Sequence, residues 1–240
     1  MAYFTFYLQK PCRIKEIKER IKGIKMSFKP PSPHCDLCPR LCLFRAENIK
    51  KFPTYHNAPV EAFGDLDAEI LVVGLAPGLN GANQTGRPFT NDYAGDILYP
   101  ILKQNGFAKG QYQKYKDDGF ELINTRITNT VRCVPPENKP TTQEEKNCRH
   151  FLTEEIKSMP NLKIILSLGT VSHKNVLQAL GLKQSFAKFI HGAVYDLPQN
   201  IKLIDSYHTS RYNINTGVLS YEMFDEIIKK IKRILVHADK

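Results

Sequence analysis

The sequence predicts an α/β protein, a three-layer α/β/α arrangement in which helices cover both faces of a central four-stranded, mostly parallel sheet. Short continuous apolar runs recur along the 240 residues, and such runs are typical of strands buried on both faces. Segments with apolar residues at helical spacing separate these runs. Strand and helix therefore alternate four times, and this order favours a parallel sheet between two layers of helices.

The first two strand–helix pairs are predicted from residue 70 onward. Ile70–Val73 is a short apolar run that suits a central strand, and after a long loop residues 94–105 show helical spacing. A second strand is expected within residues 121–134. Thr142 and Glu145 then predict a capping box at the start of the next helix.

The last two pairs follow in the same order. Lys163–Leu168 predicts the third strand, Thr170 is expected to cap the following helix and Gly181 to end it. Phe189–Tyr195 is a candidate edge strand or hairpin, and Ile201–Ser206 is the fourth main strand. The final helix is predicted from one apolar face, formed by Phe224, Ile227, Ile228, Ile231 and Leu235.

Residues 1–32 are predicted to extend a main domain of residues 33–240. An amphipathic helix with a basic outer face is expected there from the spacing of Ile14, Ile17, Ile21 and Ile24. A proline-rich connector follows it. The net charge is +10, and most of the basic surplus lies in residues 1–51. A polyanionic partner such as nucleic acid and plain solvated helix faces explain this charge about equally well.

Composition excludes several classes of protein. Hydrophobic residues make up 42% and charged residues 24%, so the chain has enough apolar side chains for a sizeable core. No run approaches the length of a membrane span, and the N-terminus lacks the pattern of a signal peptide. Six cysteines are too few for a disulfide scaffold, so we expect a reducing, cytoplasmic compartment and no membrane partner.

Three unusual loops follow predicted strands. They are Leu75–Tyr93, Asn129–Pro140 and His208–Asn215. Ligands bind at the carboxyl ends of the strands in an open α/β sheet, so these loops are predicted to converge on one site. The first loop is rich in glycine, but Arg87-Pro88 stands where a nucleotide P-loop needs Lys and Ser or Thr, and no dinucleotide fingerprint is present.

Four cysteines have the pattern of metal ligands. Cys35 and Cys38 form a C-x2-C pair, and the fold could bring Cys133 and Cys148 to the same centre. Zinc and an iron–sulfur cluster both accept four thiolates, and the spacing leaves this choice open. Reduced core thiols are the simpler alternative. Cys12 and Cys42 remain, and Cys42 is close enough to compete as a ligand.

Three ordered motifs resemble the uracil-DNA glycosylase superfamily, most closely its family five of B-type, iron–sulfur-containing enzymes. The motifs are GLAPGLNGANQTGRPFTND, NTVRCVPPENKPT and HTSRYNINTG. The resemblance covers about residues 33–235 and makes this segment a glycosylase-like catalytic domain. It implies hydrolysis of the N-glycosidic bond of uracil, and of other deaminated bases, in DNA. It also implies a [4Fe-4S] cluster on Cys35, Cys38, Cys133 and Cys148.

The resemblance assigns roles to individual residues. Asp92 and His208 would be catalytic, Asp92 toward water and His208 toward uracil O2. Phe89 would stack on the flipped base and Asn129 would read its polar edge. The backbone of the first motif would lie beside the nucleotide at Gly74, Ala76 and Gly78. The DNA strand would be contacted by Arg87, Ser210, Arg211, Asn213 and Asn215.

Asp92 has a plainer alternative role, since it could simply cap the helix that begins near Ala94. Leu75-Ala76 stands where family-four relatives carry a Glu, and His208-Thr209-Ser210 replaces the usual His-Pro-Ser. Two other functions remain open: a strictly uracil-specific family-four type of glycosylase, and a non-catalytic iron–sulfur module that binds DNA. A monomer near the nucleoid is the expected state.

Overall fold

The computed structural model describes residues 28–238 of the chain. The predicted N-terminal amphipathic helix and Cys12 lie outside the described residues. Among the helices that are described, not one combines the length and the apolar composition needed to cross a bilayer.

The main sheet has five strands in the order β4-β1-β5-β7-β6. Its strands are β1 (Ile70–Gly74), β4 (Thr125–Asn129), β5 (Ile164–Leu168), β6 (Val194–Asp196) and β7 (Lys202–Ser206). Four of them are parallel, as predicted, and β6 pairs antiparallel with β7 at the edge. The count of four strands was therefore one too low, because the candidate edge segment does join the sheet. A separate antiparallel pair is formed by β2 (Ala108–Lys109) and β3 (Glu121–Leu122).

Seven α-helices surround the sheet within residues 28–238. They are α1 (Pro39–Lys51), α2 (Ala82–Thr85), α3 (Tyr93–Gln104), α4 (Thr142–Lys157), α5 (Thr170–Ala179), α6 (Arg211–Asn215) and α7 (Tyr221–Ala238). Short 3-10 turns occur at Pro136–Asn138, Gln184–Phe186 and Pro198–Asn200. Helix α1 was not predicted, since the cysteine segment was interpreted as a loop. Pro39 at its first turn is the signal that could have located it.

Strand β1 shows how the three layers form. Ile70 and Val72 point into one apolar core, whereas Leu71 and Val73 point into another. The first core is closed by α3 and α7, and the second by α4 and α5. Because successive side chains of a strand face opposite sides, a continuous apolar run is the pattern that a sheet covered on both faces requires.

Two predicted caps are displaced by one residue. The capping box is formed by Thr141 and Glu144, whose side chains bond each other's backbone N–H, and not by Thr142 and Glu145. Both pairs have the same spacing, so the pattern alone did not distinguish them. The N-cap of α5 is Gly169, at φ +91°, and Thr170 is its first helical residue.

Candidate active site

An open cleft of about 460 Å³ lies at the carboxyl ends of the parallel strands. It is lined by Leu75, Ala76, Gly78, Asp92, Tyr93, Ala94, Asn138, Leu168, Gly169, Thr170, Val171, His208, Ser210 and Arg211. The three loops predicted to converge all contribute. A fourth segment, between β5 and α5, also contributes but was missed, because its short Gly169-Thr170 turn carries no charged or aromatic signal.

Gly74, Phe89 and Asn129 meet beside this cleft. Gly74 is paired with Asn129 across β1 and β4. A Cβ on Gly74 would lie 2.4 Å from the Asn129 Oδ1 and 2.5 Å from the Phe89 Cζ, so only glycine allows this approach. The Asn129 side chain makes no hydrogen bond to any described residue, although the residue is only 4% exposed. Its amide is therefore free to bind a ligand.

Asp92 combines both roles considered for it from the sequence. It is the N-cap of α3, where its Oδ1 accepts a hydrogen bond from the Gly95 N–H at 2.8 Å. Its carboxylate also lines the cleft. Burial raises the pKa of Asp92 to about 6. A Cβ on Gly81 would lie 3.0 Å from the Asp92 Oδ2, so the glycine-rich loop leaves room for this carboxylate.

His208 follows β7 and lines the opposite side of the cleft. Burial lowers its pKa to about 4, so its imidazole is neutral at pH 7. The ring makes no hydrogen bond to the described residues. It lies nearly parallel to the Phe89 ring, at an interplanar angle of 27° and a centroid distance of 6.0 Å. The catalytic histidine and the stacking phenylalanine of the resemblance are thus neighbours.

The residues after His208 form the lip of the cleft. Ser210 caps α6 by accepting a hydrogen bond from the Asn213 N–H, and the Asn213 amide donates to the His208 carbonyl at 2.8 Å. Asn213 therefore holds the loop rather than extending outward. Arg211 lies over the Tyr93 ring at 5.2 Å and is exposed, as is Asn215.

Arg87 does not lie where a DNA contact would need it. Its side chain is 3% exposed and forms two hydrogen bonds to Asp118, at 2.8 and 2.9 Å. The expectation that Arg87 contacts the DNA strand was wrong for this reason. A basic residue inside a polar loop gives no sign, in sequence, that a distant carboxylate draws it inward.

Asn138 was not predicted as a site residue, yet it lines the cleft opposite the first motif. A Cβ on Gly78 would lie 3.9 Å from the Asn138 Oδ1. Asn138 has a φ of +57°. Asparagine is among the few residues that tolerate this left-handed conformation, and PENKP is a turn-forming sequence that could have suggested it.

Five cysteines line a second cavity: Cys35, Cys38, Cys42, Cys133 and Cys148. All five are free thiols. Burial, together with the neighbouring thiols of Cys148, Cys35 and Cys38, raises the pKa of Cys133 to about 12. Cys42 lies in the same cavity and acts electrostatically on Cys38. It also contacts the Cys35 carbonyl at 3.4 Å.

Nitrogen donors lie close to three of these sulfurs, and the donor from Arg132 is its backbone N–H, since its guanidinium pairs with Glu155. The Arg132 N–H lies 3.4 Å from Cys148 Sγ, the Asn147 Nδ2 lies 3.7 Å from Cys38 Sγ, and the Arg45 Nη1 lies 3.7 Å from Cys133 Sγ. Burial raises the pKa of Cys148 to about 11 against the opposing charge of Arg132. Two N–H groups of the Arg132 guanidinium are buried without a partner among the described residues. Such donors suit sulfur atoms that carry negative charge.

The placement of the donors bears on the choice of metal. No three His, Cys, Asp or Glu side chains within residues 28–238 are grouped closely enough to hold a metal ion. The four predicted cysteines line one cavity and offer four thiols, a donor set that zinc and a four-iron cluster both accept.

Comparison with known proteins identifies the family. Residues 61–232 match the family model described as the uracil DNA glycosylase superfamily. The type-5 uracil-DNA glycosylase of Thermus thermophilus is 40% identical over 205 residues, which cover 83% of this chain and 93% of that protein. The type-5 enzyme of Pyrobaculum aerophilum is 36% identical, covering 82% and 87%. That of Mycobacterium bovis is 34% identical, covering 83% and 78%.

The matched region contains the whole cleft and its four loops. The cleft has a carboxylate and a neutral histidine at the carboxyl ends of a mostly parallel sheet, and the Phe89 ring lies beside that histidine. This arrangement is the one that the sequence motifs led us to expect. The chain belongs to the uracil DNA glycosylase superfamily, and within it to the type-5 family.

Proposed function

We propose that this chain removes uracil from DNA by hydrolysing the N-glycosidic bond, which leaves an abasic site. The observation that carries the proposal is that Asp92 and His208 line one cleft, with the buried Phe89–Asn129 pair beside it and the Phe89 ring next to His208. Membership of the superfamily implies DNA as the substrate. A base inside a duplex is out of reach, so the nucleotide must be flipped into this cleft.

Base recognition needs a flat surface and a polar reader. Phe89 supplies the surface, since its ring lies against His208 at the cleft. Asn129 supplies an amide that can donate to uracil O4 and accept from N3–H. This amide is held at the end of β4 by the parallel pairing of β4 with β1, and no described residue occupies its hydrogen-bonding groups. A rigid strand end is a precise place for such a reader.

The pKa values of Asp92 and His208 suit the reaction. Departure of the base leaves oxocarbenium character on the sugar and negative charge on the base. Asp92, with a pKa of about 6, is mostly ionised at pH 7 and can orient or deprotonate water. His208, with a pKa of about 4, is neutral and can donate an N–H to O2 as charge develops there. Both groups therefore already have the protonation state that these roles require at neutral pH.

We further propose that Cys35, Cys38, Cys133 and Cys148 hold a [4Fe-4S] cluster. When bound, the cluster would link the segment before α1 to α4 and to the loop after β4 through four cysteine ligands. Ala76 lines the cleft and also packs against the cysteine cavity. The Val131 N–H bonds the Leu75 carbonyl at 3.0 Å, so the loop that bears Cys133 is tied to the first motif. The proposed role of the cluster is thus to support the structure of the cleft.

Other deaminated bases are included in the proposal. Leu75 and Ala76 give the cleft two apolar side chains where family-four relatives have a carboxylate. An apolar wall forms fewer specific hydrogen bonds, so it rejects related bases less strongly. Strict uracil specificity would contradict this part of the proposal.

Base release tests the function directly. Purified protein is incubated with duplexes carrying U·G, U·A, T·G or hypoxanthine·T pairs, and abasic sites are then cleaved with alkali. We expect cleavage at both uracil pairs and at least one other lesion. Cleavage at uracil alone would favour the strictly specific type. Binding without any cleavage, by protein that contains iron, would leave a DNA-binding module and exclude the catalytic proposal.

A further inference from the structure

An exposed loop directs two side chains inward, where they contact the segment that precedes Asp92. Between Gln111 and Gly119 every residue is exposed except Tyr112, which is half-buried, and Asp118, whose side chain is fully buried. Asp118 also accepts hydrogen bonds from the backbone of Gln113 and Phe120. The loop therefore has a defined conformation, and its inward contacts are confined to two residues.

Asp118 and Tyr112 belong to what we call the arginine box. It consists of the Arg87 guanidinium, its partner Asp118, and three rings that surround the guanidinium carbon. The rings are those of Phe63 at 5.1 Å, Tyr99 at 5.6 Å and Tyr112 at 5.8 Å. Arg87 also donates to the Thr90 hydroxyl at 2.8 Å and to the Lys116 carbonyl at 3.0 Å. A cation enclosed by rings and paired on its planar edge is rigidly held.

Two tyrosine hydroxyls of the arginine box hold the segment between Arg87 and Asp92. The Tyr99 hydroxyl donates to the Pro88 carbonyl. The Tyr112 hydroxyl accepts from the Asn91 N–H at 3.0 Å and donates to the Phe89 carbonyl at 3.3 Å. One hydroxyl group thus bonds the backbone on both sides of Thr90, immediately before the carboxylate of Asp92.

The residues that Tyr112 contacts have unfavourable backbone conformations. Phe89 has a φ of +51° and Asn91 a φ of +62°. Left-handed backbone is costly for a bulky residue such as Phe89, and it persists only where surrounding contacts impose it. A Cβ on Gly95 would lie 1.7 Å from the Phe89 carbonyl oxygen, so the backbone of α3 lies in close contact with the same peptide group.

We propose that Tyr112 is a positioning residue for base release, acting through its hydroxyl on the backbone of Phe89 and Asn91. This inference rests on the proposed function for its effect on rate. The loop from Gln111 to Gly119 is then part of the active-site support, although Tyr112 itself does not line the cleft. Catalytic groups must be held to within a fraction of an ångström, and supporting residues commonly provide this.

Tyr112→Phe is the sharpest test, because it removes the two hydrogen bonds but keeps the ring in the arginine box. Tyr115→Phe is the matched control, since Tyr115 lies in the same loop and is 49% exposed. Two measurements are made: steady-state kinetics on U·G duplex, which give kcat and KM, and hydrogen exchange of the peptide covering residues 88–95. We expect Tyr112→Phe to lower kcat about tenfold, with KM changed less than twofold. Exchange in the peptide should become faster, and Tyr115→Phe should match the wild type.

The two measurements separate the possible failures. An unchanged kcat in Tyr112→Phe would overturn the positioning role. A lowered kcat with unchanged exchange would also overturn it, because the effect would not pass through the Phe89–Asn91 backbone. If the wild-type protein released no uracil, the proposed function would fail, whereas the exchange data would still decide whether Tyr112 holds the loop.

Discussion

The base cleft and the cysteine cavity meet at Ala76. Burial shifts pKa values in both places, but it leaves the titratable groups of the two places in different charge states. In the cleft, burial moves Asp92 to a pKa of about 6 and His208 to about 4, so both keep a useful charge state near pH 7. In the cavity, burial raises the pKa of Cys133 to about 12, so the thiol of Cys133 stays protonated at neutral pH.

The difference follows from what each group needs in order to work. A water-handling carboxylate must be ionised while remaining basic, and moderate desolvation achieves this. A buried thiol becomes a thiolate only when cationic charge compensates it, and a coordinating metal centre provides that charge. The proposed cluster would therefore have to supply this charge to the cysteine cavity, whereas Asp92 and His208 have their charge states in the folded chain alone.

The largest effect that tests this comparison is expected from Asp92→Asn. The amide keeps the N-cap of α3 but removes the charge. We expect kcat on U·G duplex to fall about 10³-fold. In the wild type, kcat should fall as the pH drops through about 6, because protonation of Asp92 removes the same charge. Steady-state kinetics of the variant measure the first effect, and a pH–rate profile of the wild type measures the second.

The Asp92→Asn substitution should make the folded protein more stable, although it lowers kcat. The pKa of Asp92 is higher in the folded protein than in an unfolded chain, so ionisation at pH 7 opposes folding. Asp92→Asn removes this cost and should raise the free energy of unfolding by about 1 to 2 kcal/mol at pH 7. Asp92→Ala, which also lacks the cap, should be less stable than Asp92→Asn. Near-normal turnover in Asp92→Asn would show that the residue only caps the helix.

A pair of cysteine variants tests the other side of the comparison. Cys148→Ala removes a proposed cluster ligand, and Cys42→Ala removes a thiol that lines the same cavity but is not in the proposed set. We expect Cys148→Ala to lose the brown colour and bound iron, and to lower Tm by about 10 °C or more. Cys42→Ala should keep the brown colour, the bound iron and the Tm of the wild type. Iron analysis and thermal denaturation decide, and the reverse result would assign the ligand role to Cys42.

The smallest effect is expected at the lip of the cleft. Arg211 is exposed over Tyr93, where it can meet a phosphate without entering the chemistry. Arg211→Gln should weaken DNA binding about fivefold, reduce the salt dependence by about one charge and leave kcat unchanged. Lys109→Gln is a suitable control, because Lys109 is equally basic but is paired with Glu121 outside the cleft. A loss of kcat in Arg211→Gln would move this residue into the catalytic set.

The sequence by itself determined the parallel sheet, the convergence of its loops and the residues Asp92, His208, Phe89 and Asn129. These features follow from local patterns: apolar runs fix strands, and polar residues directly after a strand must appear at its carboxyl end. The motifs of the family then gave these residues their expected roles.

Other features depend on contacts between residues that are far apart in the sequence, and only the tertiary structure decided these features. The partner of Arg87 is Asp118, 31 residues away, and this pairing turned an expected DNA contact into an internal support. The turn after β5 reached the cleft without any sequence signal, and Asn138 lies in a loop that was predicted to reach the cleft but was not singled out as a site residue. The pKa values of Asp92 and His208 likewise depend on burial, which arises only when distant segments pack together.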